Sequence, residues 1–181
     1  MTLIVIGITL ISLVLVAAAE SFFIYAQNQT KYAAKLIGKS VVPPVNTTAA
    51  GRAIIFIDDN WLWWKLNVTG ITDPIMAHIH LGKRGASGVI VADLLNLLKS
   101  PKIENTTERT IITGNISASD LLGPMKGKTF ADLQSAIKAL DLYIDLHTKN
   151  HPDGELRGTI KIQGGNTTTP IAKINNTTPS L

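Results

Sequence analysis

Short apolar stretches separated by turn residues follow one another from residue 32 to residue 162. In most of them large apolar and polar residues alternate, which is the pattern of a β-strand with one buried face. The pattern predicts an all-β domain, a Greek-key antiparallel β-sandwich or barrel. The predicted strands are Tyr32–Val42, Ala53–Ile57, Trp61–Val68, Ala77–Leu81, Val89–Asp93, Thr107–Gly114, Leu142–His147 and Glu155–Ile162.

One stretch, Thr129–Leu140, has helical spacing instead. Its apolar residues Phe130, Leu133 and Ile137 recur every three or four positions, and Thr129 is a residue type that caps helix N-termini. We therefore expect one short helix, placed over an open end or edge of the sandwich.

Alternation also assigns the faces of the strand Trp61–Val68. Trp61 and Trp63 share one face with Lys65, and the opposite face is apolar throughout, so that face is expected to be in the core. The favoured interpretation of the two tryptophans is a partly covered flank of the sheet. A ligand-stacking platform is the alternative.

Residues 3–26 are apolar apart from a few positions, with Glu20 as the one charge. As a helix this segment could cross a hydrocarbon core of roughly 30 Å, whereas the shorter run to Ala19 has the size of a signal peptide. We predict that residues 1–26 are a signal peptide or a transmembrane anchor. The protein would then be secreted or lie on the extracellular face of the membrane, with the membrane as a partner if the segment is uncleaved.

Asn-x-Ser/Thr sequons are frequent, which favours N-glycosylation outside the cell; the alternative is that Asn and Thr are ordinary loop residues. The domain is predicted to span residues 32–163, because residues 164–181 have too few large apolar side chains for a core and are expected to form a disordered tail. The candidate glycosylation sites are Asn28, Asn46, Asn67, Asn105, Asn115, Asn166, Asn175 and Asn176.

Charge and cysteine content exclude several classes of protein. The net charge is +4, but the lysines are scattered singly, without a basic block or interleaved aromatic residues, so no nucleic-acid partner is expected. There is no cysteine. A disulfide framework, a thiolate zinc site and a cysteine nucleophile are therefore excluded.

The four histidines all lie in two short segments, as His78 and His80 and as His147 and His151. Alternation places His78 and His80 together on the face opposite the core, and His147 on a similar face beside Asp145. In the last strand the same rule buries Leu156, Ile160 and Ile162 and exposes Glu155, Arg157 and Thr159.

This arrangement predicts an outward-facing metal site, since a His-x-His pair and a third histidine from a neighbouring strand suit an open metal centre. Nitrogen ligands favour copper or zinc over calcium or magnesium. The alternative is that the histidines are structural and that Asp145 and Arg157 pair across a hairpin. The candidate ligands are His78, His80, His147 and His151, with Asp145 and Arg157 as supporting or anion-attracting residues.

Four segments together resemble the CHRD domain, the module named after chordin: Ala77–Gly82 with Gly85 and Gly88, Ile116–Pro124, Tyr143–His147, and His151–Gly158. The resemblance covers roughly residues 32 to 163. It implies an extracellular, β-rich module, found in bacteria and archaea as single exported copies.

A weaker similarity is to the copper-zinc superoxide dismutase family. His78 and His80 match its His-x-His copper ligands, and His147 could match its last copper ligand. The bridging histidine, the zinc ligands and the disulfide cysteines of that family have no counterparts in this chain. These missing counterparts argue against dismutase activity even if a metal binds.

Two functions remain as hypotheses. The first is an exported, non-enzymatic CHRD module that binds an extracellular protein partner or a copper or zinc ion. The second is a copper-dependent redox enzyme of superoxide dismutase type. A serine hydrolase is disfavoured because no serine lies in a nucleophile elbow.

Overall fold

The computed structural model describes residues 30–95 and 101–163. Within these ranges the strands are β1 (Thr30–Ile37), β2 (Ala50–Ile57), β3 (Trp61–Thr69), β4 (Pro74–Leu81), β5 (Val89–Asp93), β6 (Lys102–Asn105), β7 (Thr110–Ser117), β8 (Leu142–Thr148), β9 (His151–Thr159) and β10 (Lys161–Ile162). They form one antiparallel sheet in the order β5-β4-β8-β9-β1-β2-β3-β7-β6, with β10 paired to β1. The predicted antiparallel all-β architecture is confirmed.

The predicted N-terminal hydrophobic helix, the C-terminal tail and the sequons at Asn28, Asn166, Asn175 and Asn176 lie outside the described residues. Of the remaining sequons, Asn46 and Asn105 are exposed, and Asn67 and Asn115 are half-buried on the sheet. Within the described ranges, no helix is both long enough and apolar enough to span a bilayer.

Some paired strands form a local hairpin, whereas others are far apart in the sequence. Strands β2 and β3 form the predicted hairpin, in which Phe56 lies opposite Trp63. Strand β4 pairs with β8, β3 with β7, and β1 with β9. The long-range pairing of β4 with β8 brings the two histidine segments together.

Several predicted strand boundaries were wrong: β2, β4 and β9 begin three or four residues earlier than predicted, and the predicted strand Glu155–Ile162 is divided between β9 and β10. The first strand ends at Ile37 rather than at Val42, because the backbone N–H groups of Val41 and Val45 both donate to the carbonyl of Gly38 and turn the chain. Strand β7 covers Thr110–Ser117 rather than Thr107–Gly114. It begins later because residues 106–109 form a turn, in which Thr106 and Arg109 exchange hydrogen bonds.

One face of the sheet encloses a single core. Ile55 and Leu66 from one half of the sheet and Ile79 and Ile144 from the other half belong to the same buried cluster. The sheet must therefore curl over itself, since strands this far apart in its order share one interior. Apolar burial of this kind is the main favourable contribution to folding.

The predicted helix is confirmed as α1 (Phe130–Lys138), which buries Phe130, Leu133 and Ile137 against the core. Thr129 caps it: its hydroxyl accepts the N–H of Asp132 at 3.2 Å, and the Asp132 carboxylate accepts the N–H of Thr129 at 2.8 Å. These reciprocal bonds satisfy backbone donors that an α-helix leaves unpaired at its N-terminus.

Alternation in β3 is confirmed on both faces. Leu62, Trp64, Leu66 and Val68 are buried, whereas Trp61 and Trp63 are 42% and 47% exposed. Burial of Ile162 was predicted and is wrong, since this side chain is 46% exposed. Ile162 lies in the short strand β10 at the margin of the sheet, beyond the last core residue of that segment, Ile160.

Candidate metal centre

Strands β4 and β8 build the centre of the candidate site. Their antiparallel register places His78 opposite Asp145, His80 opposite Tyr143, and Met76 opposite His147. On both strands the alternate residues, such as Ile79 and Ile144, point into the core. The imidazoles and the carboxylate therefore share the face of the sheet that is turned away from the core.

Four side chains on this face could hold a metal ion: those of His78, His80, Asp145 and His147. One nitrogen or oxygen atom of each lies within 4.8 Å of the others. Asp145 Oδ1 is at the centre, 2.9 Å from His80 Nε2, 3.1 Å from His147 Nε2 and 3.9 Å from His78 Nδ1. We call these four residues the His3Asp group.

Backbone carbonyls orient two of the imidazoles. His80 Nδ1 lies 3.1 Å from the carbonyl oxygen of Gly88, and His147 Nδ1 lies 2.8 Å from that of Pro152. A carbonyl oxygen can only accept, so in both rings Nδ1 must carry the proton. In a neutral ring Nε2 is then a lone-pair donor, and both Nε2 atoms face Asp145 Oδ1.

A carboxylate oxygen and two imidazole lone pairs repel one another unless a proton or a cation lies between them. The contact of His80 Nε2 with Asp145 is short but does not have the geometry of a hydrogen bond. Among the described residues, His78 Nδ1 and His80 Nε2 are buried without a hydrogen-bond partner. Buried polar atoms without a partner are rare in native proteins, and they are expected at the position of an ion.

The site was predicted to face outward into solvent, and the exposure to solvent is wrong. The side of the sheet is as predicted, but the three histidines of the group are only 8–9% exposed, and Asp145 is 2% exposed. The loop between β4 and β5 contributes to this burial at His80: the carbonyl of Gly88 accepts from His80 Nδ1, and the N–H of Gly88 donates to the Tyr143 hydroxyl at 2.8 Å. Alternation predicts a side of the sheet, and it cannot predict whether a loop covers that side.

Arg157 was predicted to be exposed and is only 8% exposed. On β9 it lies opposite Asp145, and its Nη2 donates to Asp145 Oδ2 at 3.3 Å. Its Nη1 donates to the carbonyl of Ala86 at 3.3 Å, and its guanidinium lies 4.2 Å from the centre of the Tyr143 ring. The Tyr143 ring is in turn stacked on His80, with centroids 4.9 Å apart.

Glu155 was also predicted to be exposed and is 5% exposed. Its carboxylate accepts hydroxyl hydrogen bonds from Thr47 at 2.8 Å and from Thr148 at 2.6 Å. Both hydroxyls come from segments that the alternation of β9 could not reveal. Their bonds offset the cost of removing this carboxylate from water.

Burial and hydrogen bonding shift three pKa values in this centre. Burial lowers the pKa of His78, which favours its neutral form. Burial alone would raise the pKa of Asp145, but its contacts with the imidazoles of His147 and His80 hold it well below its usual range. Burial alone would lower the pKa of His147, yet the bonds to Asp145 and to the Pro152 carbonyl raise it.

The candidate ligand His151 is not brought into the group. It begins β9, is half-buried, and its backbone N–H donates to the Thr148 hydroxyl at 3.2 Å. Asp145, in contrast, was assigned only a supporting role and lies at the centre of the group. Its sequence signal is the two-residue spacing to His147, which puts both side chains on one face of β8.

Comparison with known protein families decides the classification. The model of the CHRD domain matches residues 32–160, which is more than half of the chain. The chain belongs to the CHRD-domain family. A comparison with curated proteins finds no match. All four residues of the His3Asp group, and Arg157, lie within the matched CHRD domain.

Proposed function

We propose that this CHRD domain is an exported, non-enzymatic module that binds one zinc or copper ion through His78, His80, Asp145 and His147. One observation carries the proposal. The Nε2 atoms of His80 and His147, whose Nδ1 atoms bind carbonyls, converge on the oxygen of an ionised, buried carboxylate. Metal-bound histidines characteristically donate their second N–H to such a carbonyl or carboxylate.

The ligand chemistry favours zinc or copper. Three imidazole nitrogens and one carboxylate oxygen are suitable ligands for either ion, whereas calcium and magnesium prefer oxygen. With metal–ligand bonds near 2.05 Å, tetrahedral ligand atoms lie roughly 3.3 Å apart. The distances from Asp145 Oδ1 to the three imidazoles, 2.9, 3.1 and 3.9 Å, lie on either side of that value.

The burial of the group supports a structural role for the ion. Structural zinc sites use four protein ligands, whereas catalytic sites keep one position open for water or substrate. Here four potential ligands are all at least nine-tenths buried. An ion held by them would connect β4 to β8 and so stabilise the centre of the sheet.

Metal binding is tested with the purified full-length chain. After treatment with EDTA, the protein is dialysed against zinc or copper, and bound metal is measured by mass spectrometry. We expect about one ion per chain. Asp145→Asn and His80→Ala should abolish binding, whereas His151→Ala, outside the group, should bind like the wild type. Circular dichroism verifies that each variant is folded.

The outcome that would contradict the proposal is a stoichiometry well below one for both ions in the folded wild type. Binding that His151→Ala abolishes and His80→Ala does not would also contradict it. His78→Gln serves as a further variant if Asp145→Asn does not fold. It removes one ligand without leaving Arg157 beside a neutral side chain.

The redox enzyme remains a second candidate because of one observation: the cationic Arg157 lies 3.3 Å from Asp145 and also lines a cavity. A cation in this position would attract small anions such as superoxide. The rate of superoxide decay, measured with the copper-loaded protein and with Asp145→Asn, tests this candidate. Equal rates of superoxide decay with and without the copper-loaded protein would exclude the redox enzyme.

Export is proposed from the sequence of residues 1–26, the sequons and the family. It is tested by expressing the chain with a C-terminal tag in intact cells. We expect external protease to digest the tag and glycosidase treatment to increase the electrophoretic mobility of the chain. A tag that is protected in intact cells and becomes sensitive on lysis would contradict export.

A further inference from the structure

A cavity of about 350 Å³ opens beside the His3Asp group, between the segment 39–44 and the loop 83–86. Tyr143 and Arg157 form part of its lining, so the cavity adjoins the same two side chains that contact His80 and Asp145. A volume of this size is within the range of small-molecule sites. We call it the Arg157 cavity.

The lining of the Arg157 cavity carries charge of one sign. Lys39, Lys83 and Arg84 are exposed at its margin, and Arg157 is nearly buried. None of the described residues that line it is Asp or Glu. A concave surface lined by charge of one sign concentrates ligands of the opposite sign.

Arg157 is held in place before any ligand arrives. Its Nη atoms donate to Asp145 and to the carbonyl of Ala86, and its guanidinium lies against the Tyr143 ring. Its Nε is buried and has no partner among the described residues. A fixed guanidinium loses little conformational entropy when it binds a carboxylate or a phosphate.

The rest of the lining is largely apolar. Val42, Pro44 and Ala86 are exposed in the cavity, whereas Val41 and the Tyr143 ring line it but are only 3% exposed each. The three exposed side chains offer no charge or hydrogen bond, and covering them with an apolar surface would be favourable. The lining therefore suits a molecule that combines an anionic group with an apolar body.

We propose that the Arg157 cavity binds a small organic anion, a molecule with a carboxylate or phosphate group on an apolar body. The anionic group lies against Arg157 and the basic margin, and the apolar body lies against Val42, Pro44 and Ala86. No residue of this cavity is a metal ligand in the proposed function, so the anion site exists in the metal-free protein.

A second part of the proposal rests on the proposed metal site. In the metal-free protein Asp145 partly neutralises Arg157, from which it is 3.3 Å away. A divalent cation bound to Asp145 would share that negative charge and raise the positive potential at the cavity. Anion affinity should therefore rise with metal, and metal affinity should rise with the anion by the same factor.

The test uses the full-length, EDTA-treated chain and isothermal titration calorimetry. The probes are benzoate, phenyl phosphate and the neutral benzyl alcohol. We expect at least one of the two anions to bind and benzyl alcohol to bind at least about tenfold more weakly. The two anions distinguish a carboxylate ligand from a phosphate ligand. Equal binding of all three probes, or no binding of either anion, would overturn the proposal.

Variants at the margin locate the binding. The double variant Lys83→Gln, Arg84→Gln changes exposed side chains and should weaken anion binding about fivefold. The matched control Lys102→Gln, Lys128→Gln removes the same charge from exposed positions outside the cavity lining and should bind like the wild type. Equal losses in both variants would indicate a net-charge effect and would overturn the assignment to this cavity.

The metal-dependent part is tested by repeating the titration, with benzoate or with phenyl phosphate if only the latter binds, on zinc-loaded wild type and on zinc-treated Asp145→Asn. Zinc should strengthen binding of that anion about fivefold or more in the wild type and have no effect in the variant. Unchanged affinity for the anion in a protein shown to hold zinc would overturn the coupling. If neither zinc nor copper binds, the proposed function fails while the metal-free anion measurement stands.

Discussion

Strands β3 and β8 have the same sequence pattern and different surroundings. Both alternate large apolar residues with polar or aromatic ones, and in both the apolar set lies in the core. On β3 the other face is open, with Trp61 and Trp63 nearly half exposed. On β8 all seven residues are buried.

The difference arises outside the two strands. The loop between β4 and β5 binds His80 and Tyr143 through Gly88, and the segment after β8 binds His147 through the carbonyl of Pro152. The outer face of β8 is thereby removed from water together with its ionisable groups. A polar face that is covered in this way requires pairing of its charges, whereas the open face of β3 does not.

The largest effect should separate the two outer faces. In the metal-free protein, Asp145→Ala leaves Arg157 without its carboxylate partner and should lower the free energy of unfolding by about 3–5 kcal/mol. Lys65→Ala on the open face of β3 should change it by less than about 0.5 kcal/mol. Urea denaturation in EDTA measures both variants. Similar losses would show that the two outer faces do not differ energetically.

The core faces should behave alike. Ile144→Ala on β8 and Leu66→Ala on β3 each remove a fully buried aliphatic side chain, and each should cost about 2–5 kcal/mol. The two losses are measured by the same denaturation experiment. A loss below about 1 kcal/mol for one of the two would mean that its half of the sheet does not share the common core.

The fold was more predictable than the site because it depends on local patterns. Alternation identified the core faces of β3, β4 and β8, and helical spacing with a capping residue identified α1. The partition of the histidines identified His78, His80 and His147, which are brought together. The periodic signals depend on residues two to four positions apart, and the partition of the histidines depends only on where one residue type occurs, so the sequence displays both directly.

The remainder of the site depends on contacts between distant segments. The central position of Asp145 follows from the register of β4 and β8, and the burial of Arg157 follows from its contacts with Ala86 and Tyr143. Spacing also suggested that His151 would join the other histidines, but the turn after Thr148 places it at the start of β9 instead. Neither loop coverage nor strand register can be obtained from alternation.

A smaller effect should appear in the pH dependence of the metal-free protein. The pKa of His147 is raised, so its stabilising contribution is fully present below its unfolded pKa of about 6.5 and is lost as pH rises through the folded pKa. The contribution of Asp145, whose pKa is lowered, is constant above about pH 4. The stability difference between wild type and His147→Gln should therefore be larger at pH 5 than at pH 9.

This difference is obtained from urea denaturation in EDTA at the two pH values. The control is His151→Gln, which removes a half-buried histidine outside the His3Asp group and should show no comparable trend. A difference between wild type and His147→Gln that grows from pH 5 to pH 9 would contradict the raised pKa.

The smallest effect is expected for Trp63→Ala on the open face of β3. Because this side chain is 47% exposed, its removal should lower the free energy of unfolding by less than about 1.5 kcal/mol, despite its size. Thermal or urea denaturation monitored by circular dichroism measures this. A loss as large as that of Ile144→Ala would show that the outer face of β3 is covered in solution, as that of β8 is.

The pairing of β4 with β8 also has a consequence for the order of folding. His78 and His80 lie on the same face of one strand, but Asp145 and His147 join them only when β4 pairs with β8, and residues 82–141 separate these two strands in sequence. Contacts of such long sequence separation form late and slowly. A bound ion should consequently act on the native state more than on the transition state, and it should slow unfolding much more than it accelerates refolding.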